Sequence, residues 1–198
     1  MASWVEVANT AAAAIGTSTR ITGPEDDKTL ARSLRAVWDL NRRAALREGS
    51  WNFATEAHRL PALSEVPPFG YDYQFQLPAD CLRVLEVANN PGYDAYRTQN
   101  GRILCSAGAP LDVVCLIDRP EPGTWDALFV QAFAYKLALA VGRKIAGSAF
   151  DRAGVERDYR DALAASKRVD AMENPPIERE ESDWVTARSM PAGWPGRI

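Results

Sequence analysis

One stretch limits the folds open to this chain more than any other: a basic amphipathic segment over residues 27–48 that runs almost directly into Trp51-Asn52-Phe53-Ala54. At helical spacing Leu30, Leu34, Val37, Trp38, Asn41 and Ala45 share one side, while Arg32, Arg35, Arg42, Arg43 and Arg47 share the other. Asp26 and Asp27 at the start and Arg47 near the end complement the helix dipole, and Gly49 is placed to take a left-handed cap. The pattern predicts a helix with one buried face, followed by two large rings that fold back on its last turn. A helix of this kind needs a second apolar layer to pack on.

That layer is predicted between residues 124 and 146. There Thr124 reads as a cap, and Leu128, Phe129, Phe133, Leu137, Leu139 and Val141 occupy more than one helical face. Ser3 and Glu6 form a capping box for a short helix with Trp4, Ala8, Ala11, Ala12 and Ile15 on one side, expected to lie antiparallel to the basic helix. A fourth helix is expected from Phe150 to Met172. Its narrow stripe of Val155, Tyr159, Ala162, Leu163, Ser166 and Val169 among many charges places it on the surface.

Between these parts the periodicity changes from helical to alternating. Pro61, Pro67 and Pro68 exclude a long helix, and Tyr71, Tyr73, Phe75 and Leu77 recur at period two. Leu82, Val84 and Val87 continue the alternation, Asn100-Gly101 is the signature of a tight hairpin, and residues 111–117 are apolar nearly throughout. The expected architecture is α+β. Residues 1–60 and 120–173 form a bundle of four main helices, residues 61–119 an inserted antiparallel sheet or open barrel, and residues 174–198 an extended C-terminal arm without periodicity.

Chemistry-bearing residues are sparse. The three cysteines show no Cys-x-x-Cys spacing, His58 is the single histidine, and no phosphate loop or dinucleotide fingerprint is present. We therefore expect no metal, no cofactor and no enzymatic activity. Cys81 with His58 and Asp80 lies in no nucleophile motif, and the carboxylates Glu48, Glu56, Asp72 and Asp80 have no separation legible in sequence. The cysteine usage reads as reduced and intracellular, and the alanine run at 11–14 is too short for a signal or membrane segment. A net charge of −3 argues against a dedicated nucleic-acid binder. Two binding features are left: the arginine face, which suits phosphates or a neighbouring subunit, and Trp184 and Trp194 on an aperiodic tail, which mark a protein interface.

The order of several motifs resembles the tail tubular protein A family of phage head-to-tail connectors. The matching pieces are the short helix from Ser3 to Gly16, the arginine-rich helix ending Ala44-Ala45-Leu46-Arg47-Glu48, and Trp51-Asn52-Phe53-Ala54. Phe69-Gly70-Tyr71, Leu77-Pro78-Ala79-Asp80-Cys81-Leu82-Arg83-Val84, the alanine-rich helix after Phe129 and Ser182-Asp183-Trp184 follow in order. The likeness spans residues 3–188, with an interruption at Pro91-Gly92-Tyr93.

The resemblance implies a structural virion protein made in the host cytoplasm, a dodecameric adaptor ring beneath the portal protein. Such a ring extends the DNA channel and helps retain and release the genome, with DNA passing through the lumen without sequence-specific binding. It has copies of itself and a further tail or nozzle component as partners, and no membrane. On this reading the arm docks in the portal through Ile177, Trp184 and Val185. The subunit contact sets Arg32, Arg43 and Arg47 against Glu156, Asp158 and Asp161. Two rival readings stay open: a DNA-binding packaging factor using the arginine face of residues 27–48, and a phage cell-wall hydrolase.

Overall fold

The computed structural model describes residues 2–88 and 96–174. Their fold is α+β, with four helices and two small antiparallel sheets, in the order α1 (Trp4–Ile15), α2 (Thr29–Leu46), β1 (Thr55–Leu60), β2 (Tyr73–Gln76), β3 (Cys81–Val87), β4 (Tyr96–Gln99), β5 (Arg102–Cys105), β6 (Leu111–Ile117), α3 (Ala127–Ala146) and α4 (Arg152–Glu173). The arm expected over residues 174–198 lies, beyond Asn174, outside the described residues, and with it Ile177, Trp184 and Val185.

The first helix forms as its capping signals direct. The Ser3 hydroxyl accepts from the Glu6 amide, and Gly16 closes the other end with φ +80°. Its partner differs from expectation, because α1 lies chiefly against α3 and only marginally against α2. The central helix is α3, which touches α1, α2 and α4 and buries Phe129, Val130, Ala132, Phe133, Ala134, Leu137, Ala138 and Val141. Its cap is Asp126, not Thr124: the Asp126 carboxylate accepts from the amides of Leu128 and Phe129, while Thr124 closes the short turn before it. The fourth helix buries only Gly154, Val155 and Ser166, as a surface helix should.

Helix α2 starts at Thr29 and ends at Leu46, with Arg47 as a right-handed cap residue. The predicted left-handed cap at Gly49 does not form. Gly49 serves a different need: a Cβ there would stand 2.5 Å from the Trp51 indole, so the absent side chain lets the ring lie back on the helix end. The Trp51 Nε1–H then donates to the Leu46 carbonyl at 3.0 Å, as the fold-back expectation requires.

The β part is two three-stranded sheets facing each other, in the orders β1-β6-β3 and β2-β5-β4. Strand β1 was expected to belong to the helical part ending at residue 60, yet it pairs with β6 from Thr55↔Leu116 to Leu60↔Leu111. The sheet therefore takes over at Thr55. Its central strand β6 is buried on both sides. Leu116 joins the helical core, while Leu111, Val113, Cys115 and Ile117 join a second core against β2-β5-β4. Two register shifts in β3, between Cys81 and Arg83 and between Val84 and Glu86, place Leu82 and Leu85 on the helical side and Val84 and Val87 on the other. The hairpin between β4 and β5 turns at Asn100 and Gly101, both with positive φ, as the sequence predicts.

Candidate interaction surfaces

Three regions concentrate polar or exposed apolar side chains, and each grows from the layering just described. The first joins α2 to the end of β6. Arg42, predicted on the exposed arginine face, is only 5% exposed. Its Nε and Nη2 donate to the two oxygens of Asp118 at 2.9 and 2.8 Å, and its Nη1 reaches Asp39. Arg43 Nε donates to Asp118 at 3.0 Å, and Arg47 donates to the Leu82 carbonyl. Burial works to raise the Asp118 carboxyl, but the Arg42 and Arg43 guanidiniums outweigh it and hold its pKa below the ordinary value. The fork of Arg42 on Asp118 fastens the helical layer to the sheet.

A second region is the corner at Trp51-Asn52-Phe53-Ala54. Trp51 is 1% exposed, and its ring meets Phe129 edge-on at 4.9 Å, while Phe53 lies 5.0 Å from Phe129. Asn52 faces the other way. Its amide donates to the Asp170 carboxylate at 2.9 Å, its side chain donates to the Asp170 carbonyl at 2.8 Å, and its Oδ1 accepts from Asn174 at 2.7 Å. Arg83 of β3 closes the corner from a third side by donating to the Gly49 carbonyl and the Ser50 hydroxyl. Four consecutive residues thus fix the helical core, the start of β1 and the end of α4. Further along, Glu48 accepts from Tyr159 at 2.6 Å and from Lys136, a second tie on α4. Burial, and then the Glu48 carboxylate, push the Tyr159 phenol above its usual pKa, which keeps it a donor.

The third region is the outer face of β2-β5-β4. A strap of residues 65–71 crosses it and encloses a groove of about 480 Å³ lined by Val66, Pro67, Phe69, Tyr71, Arg97 and Arg102, among others. Phe69 is 85% exposed and Val66 65%. Gln74, 5% exposed, holds the strap: its Nε2 donates to the Glu65 carbonyl at 2.8 Å and its Oε1 accepts from Arg102 at 3.0 Å. Arg102 also donates to the Glu65 carboxylate, and the Leu63 amide to the Gln74 carbonyl. The groove is therefore built before anything enters it.

Of the predicted subunit-contact residues, Arg32 pairs with Asp27 across 3.7 Å at the surface, whereas Arg43 and Arg47 are engaged within the chain as described. On α4, Glu156 binds Arg160 one turn on, and Asp158 and Asp161 are exposed. The structure brings none of these acids to those arginines within one chain. Arg157, Arg160, Lys167 and Arg168 are also exposed on α4, so its outer surface is of mixed charge.

Cys81 and His58 are not assembled as a nucleophile pair. They sit on β3 and β1, on opposite sides of β6, at registers Ile117 and Val113, about 13 Å apart along the strand direction alone. Burial first, and then the neighbouring Cys81, push the Cys115 thiol up to about 12. His58 instead has Glu56 as its charged neighbour, at 3.6 Å, and Glu56 also binds Arg119. No group of three metal-ligating side chains occurs among the described residues, and no described helix is long and apolar enough to cross a membrane.

Sequence reasoning missed Asp118 and the strap. An acid directly after the apolar run 111–117 was the available signal for the first, and Val66 with Phe69 among prolines for the second. No protein-family model matches the chain, and a search of curated proteins returns no match.

Proposed function

We propose that this protein is a structural adaptor of a phage virion, a ring-forming subunit between the portal and the tail, with a mechanical role and no catalytic one. The observation that carries the reading is the corner at residues 51–54. A connector subunit must transmit force between partners without shearing its own layers. Here one short stretch ties the bundle to β1 through Trp51 and Ala54, and to the end of α4 through Asn52. The last described residue, Asn174, is held in that same corner, so the segment that follows departs from a fixed point. On this reading Ile177, Trp184 and Val185 dock in the portal, and the sheet part faces a further component on the tail side.

The burial of Arg42 in its fork on Asp118 favours this reading over the packaging factor, because it removes one cation from the face that phosphates would need. Negative-stain images of the purified full chain, alone and mixed with portal rings from the same virion, test it. Rings of the chain seated on one end of the portal are the expected result. A chain that ignores the portal and retards DNA in a strongly salt-dependent way would move the assignment to the rival class.

A further inference from the structure

The strap groove on the outer face of β2-β5-β4 has a candidate occupant within the sequence itself. We infer that it is the docking site for residues 177–185 of this chain, Ile-Glu-Arg-Glu-Glu-Ser-Asp-Trp-Val. The argument begins with charge. Arg97 is exposed and has no carboxylate partner among the described residues, and Arg102 shares its donors between Glu65 and Gln74. Against these stand Glu178, Glu180, Glu181 and Asp183, with Arg179 as the single opposing charge. In an extended segment alternate side chains share a face, which puts Glu178, Glu180 and Trp184 together. A carboxylate and one large ring match the Arg97 guanidinium and the apolar strap of Val66, Pro67, Phe69 and Tyr71, while Arg102 stays with Glu65 and Gln74.

The apolar side of the match is as specific. Phe69 and Val66 together form an exposed apolar patch on the strap, and Trp184 is a large ring on an otherwise acidic segment. Covering one with the other removes both from water. Because Gln74, Arg102 and Leu63 already hold the strap, docking carries no cost for ordering the site itself. Ten residue steps from Asn174 to Trp184 give up to about 33 Å of extended chain. The docking covers Trp184 while no portal is present, and it stands whether or not the portal is that segment's final partner.

The test uses the full chain with a benzoylphenylalanine photo-crosslinker in place of Phe69, and in a control in place of Leu40, which is 76% exposed on α2. Adducts from position 69 should map to residues 177–188 in tryptic digests, and should fall several-fold on Arg97→Glu and at high salt. Product at the monomer mass assigns the docking to the same chain, and product at twice that mass to a neighbouring copy; both support the inference. Adducts mapping elsewhere, equal capture of the segment from position 40, or a yield unchanged by Arg97→Glu would overturn it. Portal association is scored separately, so its loss with the crosslink intact refutes only the portal reading.

Discussion

The two cores on either side of β1-β6-β3 are built from different materials. On the helical side, Trp4, Trp38, Trp51, Trp125, Phe53, Phe129 and Phe133 form a chain of ring contacts, with Trp38 edge-on to Phe133 at 5.1 Å and Trp125 edge-on to Phe129 at 5.5 Å. On the outer side Phe75 is the one fully buried ring among the described residues, packed with Leu60, Leu77, Ile103, Cys105, Leu111, Val113, Cys115 and Ile117. Rings bury large areas and lock orientation, whereas small aliphatic side chains across strands of four residues bury less and constrain less. The helical core is the ring-rich one, and the outer sheet β2-β5-β4 carries the exposed groove.

The largest expected effect is therefore on the ring side. Trp38→Ala should cost about 3 to 5 kcal/mol in denaturant unfolding, and a loss below about 1 kcal/mol would show that the ring chain is not the main core. Next comes the tie between the regions. Asp118→Asn leaves the buried Arg42 guanidinium without its forked partner and should cost about 3 kcal/mol; a silent substitution would mean that apolar packing alone joins the layers. On the outer side, Ile103→Ala should cost about 2 to 3 kcal/mol while leaving near-ultraviolet signals of the buried tryptophans unchanged under native conditions. Altered tryptophan signals would show that the two cores do not behave separately.

The smallest effect concerns pH and sharpens the role of the tie. Asp118 has a folded pKa below its unfolded value, so its contribution is present above the ordinary carboxylate range and fades as pH falls through the lower folded value. Wild-type protein should lose more stability than Asp118→Asn on going from neutral pH into that acid range. Parallel acid profiles for the two proteins would place the acid-sensitive contact elsewhere.

Which of these features were legible in sequence follows from how local their causes are. Asn100-Gly101, the Ser3 and Glu6 pair and the helical stripe of Leu30, Leu34 and Trp38 act within a few residues, and each forms as read. Strand β6 was equally plain as a strand from its nearly continuous apolar run, though not its burial on both faces, which depends on the two layers that cover it. Strand β1 was not legible. Thr-Glu-Ala-His-Arg-Leu is an edge strand with polar groups on both faces, and only its pairing with β6 makes it a strand. Arg42 looked like its exposed neighbours because its partner lies 76 residues away, and the strap groove depends on Gln74 reaching the Glu65 carbonyl across a loop. What was missed is what long-range pairing decides.

The position of β6 also orders events as the chain is made. It is the last of the described strands in sequence and the middle strand of its sheet, so β1 and β3 lack the strand they pair with until residue 117 has left the ribosome. For that interval a nascent chain displays two unpaired strands, a condition that slows folding and invites pairing with other chains. The polar residues of β1, which obscured it in sequence, are then protective: Glu56, His58 and Arg59 make a waiting edge poorly suited to pairing with anything but its own β6.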